Sequence, residues 1–189
     1  KACGSVNTLW KDGSKVFADT TDGRGFVRDL TEKGIDLKDK EIIILGAGGS
    51  ARSIIPSLLR QDPSRITIGN RTHSRAEALA YQFSSPANPI NVIDMSQDLN
   101  FLPDLIINST SAGVLKEDVV IPKNLFSKQA QVYDLSYSQF DTPFIKLAMQ
   151  SGAEKCYDGI GMLIHQAALS FEIWTGETPS INFGKKDLL

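Results

Sequence analysis

The stretch from Ile42 to Ala51, IIILGAGGSA, limits what this chain can fold into more than any other. Four apolar residues run into a glycine-rich turn, and the turn opens onto SIIPSLL, which has the apolar content of a helix. In such a strand, turn and helix Gly46 allows the tight exit from the strand. Gly48 lets backbone come close to a pyrophosphate, and Ala51 stands where the third small residue of a dinucleotide fingerprint lets helix and strand pack closely. The free N–H groups at the start of such a helix face the phosphates, where aligned peptide dipoles favour negative charge. A merely structural turn is the plainer alternative, but it leaves the order of apolar run, glycines and helix unexplained. Gly46, Ala47, Gly48, Gly49 and Ser50 are therefore read as a pyrophosphate loop.

From Glu41 onward apolar strand-like runs alternate with amphipathic helical ones. That pattern predicts an α/β fold: a Rossmann-like, doubly wound parallel sheet with helices on both faces. Expected strands are Ile42 to Leu45, Ile66 to Gly69, Ile90 to Ile93, Leu105 to Asn108, Val132 to Leu135 and Glu154 to Tyr157. Expected helices are Ser50 to Gln61, Ser74 to Phe83, Pro143 to Ser151 and about Gly161 to Trp174. Pro56 lies inside the first of these, where it removes one backbone bond and is expected to kink or shorten the helix.

Ahead of this region, residues 1 to 20 read as two extended pieces, Ser5 to Trp10 and Val16 to Asp19, around an Asp12-Gly13 pair suited to a hairpin turn. In TTDGRGFVRDLTEKG, Phe26, Val27 and Leu30 recur at helical spacing. Gly34 is placed to end that helix in a left-handed conformation, and Thr21 or Asp22 is expected to cap its first turn. The final GETPSINFGKKDLL has turn residues and no period, and is expected to run over the surface or fray.

The end of the second strand of such a sheet meets the adenosine ribose, where an NAD site carries Asp or Glu. This chain offers Asn70, Arg71 and Thr72 there, with Arg75 following. A guanidinium at that position clamps a 2′-phosphate through paired, charge-assisted hydrogen bonds, which favours NADP over NAD. The bland reading is that Arg71 and Arg75 only solvate a helix start; their position at a strand end weighs against it. A third loop, after Leu105 to Ile107, delivers Asn108, Thr110 and Ser111 to the same edge, as cofactor contacts or as ordinary turn formers.

The 189 residues suit one main domain with appendages, and a net charge of −2 suggests neither a nucleic-acid nor an anionic-membrane partner. No apolar run approaches the ~20 residues that cross a bilayer. Cys3 and Cys156 have no metal-ligand spacing, and no metal site is expected. Two free thiols fit a reducing compartment such as the cytoplasm. His73 and His165 are read as surface or packed residues rather than catalysts.

With these pieces assembled, the chain resembles the shikimate dehydrogenase family. The shared motifs are SVNTL (Ser5 to Leu9), TDGRGF (Thr21 to Phe26), GAGGSA, NRTHSRAEAL, NSTSAG, VYDLSY (Val132 to Tyr137) and DGIGMLIHQAA (Asp158 to Ala168). The resemblance implies reversible, NADPH-dependent reduction of 3-dehydroshikimate to shikimate, a step of aromatic amino-acid synthesis, in a cleft between two α/β lobes. Quinate as substrate and NAD as cofactor occur among relatives, and spacing does not distinguish them.

Residue by residue, the resemblance makes Asp22 the catalytic aspartate that partners a lysine. Asn7, Thr21, Asp22, Tyr137 and Gln166 become substrate contacts, and Leu135 and Gly159 lie by the nicotinamide half. Local sequence gives Asp22 an equally good role as a helix cap and Gln166 one as a solvated residue. The lysine and the substrate-binding serines belong to a preceding lobe of the family; Lys1, Lys11 and Lys15 stand after its position and are not assigned the role. The implied division is 1–20, remnant of a substrate lobe; 21–40, connecting helix; 41–158, NADP-binding domain; 159–189, helix and tail closing the cleft. The expectation is a chain that binds NADPH and has negligible turnover alone, against an alternative of a stand-alone NADP-binding module. Thr20, Val114 and Gln139 depart from the family's usual asparagine, methionine and proline.

Overall fold

The computed structural model describes residues 3–110, 121–182 and 185–188. Lys1, Ser111 and Val114, named above, lie outside the described residues.

The strands β3 (Glu41–Leu45), β4 (Arg65–Gly69), β5 (Ile90–Ile93), β6 (Leu105–Asn108), β7 (Gln131–Asp134) and β8 (Lys155–Asp158) form one parallel sheet, in the order β5-β4-β3-β6-β7-β8. The chain winds outward from β3 in one direction, then returns to start β6 on its other side. That reversal between β3 and β6 is the crevice where open α/β sheets bind ligands.

Alternation along each strand divides the apolar residues between two cores. Ile42, Ile44, Ile66, Ile68, Leu105, Ile107 and Tyr133 face α1 (Asp22–Glu32), α2 (Gly49–Leu59) and α3 (His73–Phe83). Ile43, Leu45, Ile106 and Val132 face the other side, with Phe144 and Ala148 of α4 (Pro143–Gln150). Both faces of the sheet are covered, so its strands read as continuous apolar runs.

The hairpin β1 (Thr8–Asp12) and β2 (Lys15–Asp19) pairs Thr8 with Asp19 and Asp12 with Lys15. Asp12 closes the ladder, and Gly13, at φ +58°, turns it. The first strand therefore starts and ends later than Ser5 to Trp10, because pairing extends to the turn. Gly34, at φ +71°, ends α1 as expected, with Ile35 N–H donating back to the Leu30 carbonyl.

Two local expectations are corrected. Thr21 occupies the cap position of α1, but neither it nor Asp22 caps the helix with its side chain. The Thr21 hydroxyl is drawn instead to the Gln166 carbonyl oxygen of α5 (Ile160–Thr175), at 2.9 Å. Near the carboxyl end, the tail forms a short helix α6 (Lys185–Leu188), tied by Lys185 Nζ to Asp158 Oδ2 at 2.5 Å. As for Pro56, α2 is continuous through it and ends at Leu59, two residues before the expected Gln61.

Candidate active site

Four strand ends meet at a cleft of about 910 Å³ at the carboxyl edge of the sheet. The turn after β3 and the start of α2 contribute Gly46, Ala47, Gly48, Gly49 and Ser50, the loop after β4 contributes Asn70, Arg71 and Thr72, and the first turn of α3 contributes Arg75. From β6 and its loop come Asn108, Ser109 and Thr110, and from the end of β7 Leu135 and Ser136. Gly46 has φ +105°, and a Cβ there would stand 2.6 Å from Ser109 Oγ, so the turn demands glycine on two counts.

A dinucleotide suits this cradle. Cβ atoms built on Gly48 and Gly49 meet nothing within 4 Å, so bare backbone faces open space. The cap of α2, Gly48, supplies no side-chain hydrogen bond to the first-turn N–H groups, which leaves the helix end to an anion. Arg71 and Arg75 are both exposed at the rim. Asn70 Nδ2 donates to the Thr72 carbonyl oxygen at 2.8 Å, which shapes the turn that carries Arg71.

Gly159 is buried directly behind Leu135 and Ser136, which line the cleft. Its N–H donates to the Ser136 carbonyl oxygen at 3.0 Å, and a Cβ would overlap the Leu135 carbonyl oxygen. It therefore holds the backbone that presents Leu135 to the cleft. Asn108, considered above as a cofactor contact, is buried, with its amide engaged by Asp134 and Thr110.

A second cluster joins the hairpin, α1 and α5. Asn7 Nδ2 lies 2.8 Å from Thr21 Oγ1, 2.8 Å from Asp22 Oδ1 and 3.0 Å from Gln166 Oε1. An amide has two protons, so three acceptors share them. Asn7 Oδ1 accepts from the Thr21 N–H at 3.0 Å and from the Thr8 hydroxyl at 2.9 Å, which fixes the direction of the amide. Ser170 completes the group beneath, 2.6 Å from Thr8 Oγ1 and 3.1 Å from Thr21 Oγ1. Asp22 keeps its second oxygen out of these bonds, and among the described residues no lysine pairs with it. Thr20 next door has a buried hydroxyl with no partner.

Four of the five expected substrate contacts thus meet in one cluster. Tyr137 makes none of these hydrogen bonds; it is exposed, two residues beyond Leu135. Gln166 follows Gly159 by seven residues, so the Leu135 contact and the Asn7 cluster lie roughly 10 Å apart along α5, at 1.5 Å per residue. His165 is buried and paired with Glu32 Oε2 at 3.1 Å, and His73 is exposed beside Glu77, so both histidines act as packed or surface residues.

Several cleft residues escaped sequence reasoning: Met95, Ser109, Ser136, Phe144 and Leu147. Phase along α4 was the available signal for two of them, since Phe144 and Leu147 are three apart on one helix face. An acid closing the apolar strand Gln131–Asp134 was the signal for the buried Asp134.

Comparison with known proteins agrees with this geometry. Residues 29–136 match the shikimate / quinate 5-dehydrogenase family, and residues 159–183 match the shikimate 5′-dehydrogenase C-terminal domain. Among curated proteins, the shikimate dehydrogenase (NADP(+)) of Dechloromonas aromatica is 42% identical over 177 residues, covering 93% of this chain and 64% of that protein. The protein of the same description from Vibrio atlanticus is 43% identical over 187 residues, covering 98% of this chain and 66% of that one. Among solved structures, the shikimate 5-dehydrogenase of Thermus thermophilus in complex with NADP(H) and shikimate is 30% identical, with a TM-score of 0.81 over 98% of this chain and 67% of that one. The chain therefore spans a little under two thirds of the length of the curated relatives it matches. By the family match, the order of the strands and the convergence of the three loops, this chain belongs to the shikimate / quinate 5-dehydrogenase family.

Proposed function

We propose that this chain carries the cofactor-binding part of an NADP-dependent shikimate dehydrogenase, which reversibly reduces 3-dehydroshikimate to shikimate. The observation that carries this reading is the cleft itself, lined both by a glycine-rich phosphate cradle after β3 and by two exposed arginines, Arg71 after β4 and Arg75 at the start of α3. Support for the substrate comes from relatives named for that activity and from a neighbour solved with NADP(H) and shikimate.

In this reading Gly46 to Ser50 hold the pyrophosphate by backbone N–H groups, and Asn70, Arg71, Thr72 and Arg75 hold the adenosine 2′-phosphate. Thr110 and Leu135 border the rest of the cofactor, whose nicotinamide supplies the hydride when bound. Ketone reduction also needs a proton for the developing alkoxide. In the family the lysine that delivers this proton belongs to the substrate lobe, and Asp22 would hold its ammonium through the oxygen that Asn7 leaves available. Asn7, Thr21 and Gln166 orient the substrate hydroxyls, and Tyr137 reaches it from the β7 loop. The hairpin belongs to the substrate side, residues 41–158 to the cofactor side, and residues 159–189 close the cleft. Two free thiols, Cys3 and Cys156, accord with a cytoplasmic site of action.

Titration of the chain with NADPH, followed by nucleotide fluorescence, tests the cofactor half, and saturable binding is expected. A parallel absorbance assay with shikimate and NADP tests the proton path. Negligible turnover is expected, because no lysine among the described residues pairs with Asp22. A chain that ignores NADPH overturns the cofactor assignment, and robust turnover overturns the account of the lysine.

A further inference from the structure

Asp134 closes β7 with its side chain out of solvent, at 1% exposure, and it touches no position expected to bind substrate. Three donors converge on it: Asn108 Nδ2 at 2.9 Å, the Ser136 N–H at 3.1 Å and the Thr142 hydroxyl at 2.5 Å. Asn108 is its register partner on β6. The other end of that amide, Asn108 Oδ1, accepts from the Thr110 hydroxyl at 2.6 Å and the Thr110 N–H at 3.2 Å. Thr142, Asp134, Asn108 and Thr110 thus form one polar row beneath the cleft, across the carboxyl ends of β7 and β6.

The row has a direction. An ionised carboxylate only accepts, so Asn108 must turn its NH₂ toward Asp134, and its oxygen is thereby left for Thr110. Thr110 then packs its methyl group against the Gly46 turn, 3.1 Å from where a Cβ on Gly46 would stand. A neutral amide at position 134 would lose this one-sidedness, and Asn108 would be free to flip and present NH₂ to the Thr110 N–H.

We propose that Asp134 is a positioning residue for cofactor binding: its carboxylate sets the orientation of the Asn108 amide, and through it the Thr110 wall of the cleft. This rests on the reading that the cleft takes NADPH.

The test compares Asp134→Asn with the double variant Asn108→Asp/Asp134→Asn, which moves the acceptor-only group to the other end of the same bond. Asp134→Asn is expected to weaken NADPH binding about tenfold, the loss of roughly one charge-assisted hydrogen bond, and to speed hydrogen exchange at the Thr110 amide. In the double variant an aspartate at 108 accepts from Thr110 and from the new amide at 134, while that amide's oxygen still accepts from Thr142. Binding and exchange are expected to return to within about threefold of the parent, only the Ser136 bond being lost.

Parent-like binding and exchange in Asp134→Asn overturn the proposal, as does a double variant no better than the single one. If Asp134→Asn does not fold, a double variant that folds and binds NADPH upholds the proposal, and one that also fails to fold overturns it. A parent chain that does not bind NADPH overturns the functional reading instead; the exchange comparison at Thr110 still decides the role of Asp134 in shaping the loop.

Discussion

The Tyr133 hydroxyl donates to Asp29 Oδ2 at 2.7 Å, deep between β7 and α1. Asp29 Oδ1 takes Lys33 Nζ at 2.5 Å, and the Met162 N–H of α5 meets the Tyr133 oxygen at 3.4 Å. One phenol therefore ties the sheet to the two helices that carry Asp22 and Gln166. Burial, and then the charge of Asp29, push this phenol far above its ordinary range, so it stays a proton donor wherever the protein is folded. Tyr133→Phe keeps the ring against Phe26, with centroids 4.8 Å apart, but leaves a buried carboxylate oxygen without its donor. The expected cost is about 1.5–3 kcal/mol, read as a lower urea midpoint with an unchanged slope. An unchanged midpoint would contradict this account.

Gly25 lies where α1 crosses α5, and a Cβ there would stand 2.6 Å from Gln166 N and 2.8 Å from its Cα. Both atoms are backbone and cannot turn aside, so the glycine serves close helix packing. Gly25→Ala gains about 1 kcal/mol of helix propensity, against an overpacking cost of about 1–3 kcal/mol, and the second effect is expected to win. Because α5 must move, Gln166 moves with it and the Asn7 cluster opens. Thermal unfolding should show a lower midpoint, and a midpoint at or above the parent's would mean that α5 yields without cost.

Much of this architecture was legible because it rests on local signals. The strand from Ile42 to Leu45 was found within one residue of the observed Glu41–Leu45, since a run buried on both faces leaves an uninterrupted apolar string. The loops at Gly46 and Asn70 were legible because tight turns restrict residue type over a few positions. Partners far off in the chain were not legible. Asp29 and Tyr133 are 104 positions apart, and neither looks unusual beside its neighbours. Thr21 was expected to cap α1, and a carbonyl 145 positions away claimed its hydroxyl. Gly159 meets Leu135 and Ser136 some two dozen positions earlier in the chain, a close backbone approach that its own neighbours do not announce.

Arg71 stands exposed on the rim of the cleft, at the end of β4. A bidentate contact with a phosphate depends on charge and on the guanidinium fork, which aspartate reverses and removes. Arg71→Asp is expected to raise the NADPH dissociation constant roughly tenfold to a hundredfold, while NADH binding changes little. Fluorescence titration with each nucleotide separates the two. Equal losses for both would mean that Arg71 supports the loop and does not read the phosphate.

Burial holds the Asp134 carboxyl above its ordinary value of 3.8, and the hydrogen bonds from Thr142, Ser136 and Asn108 only partly pull it back. A folded-state value above the unfolded one means that the native chain binds more protons than the unfolded chain between the two values. The stability this group contributes is then fully present below about pH 4 and is lost as pH rises through the folded value. Asp134→Asn removes this titration and leaves other groups in common. The unfolding free energy of the parent minus that of the variant should therefore be larger at pH 4.5 than at pH 7. Urea unfolding of both proteins at the two pH values measures this difference. A difference that widens toward pH 7 would show the three hydrogen bonds outweighing burial, and with it a carboxyl held below its ordinary value.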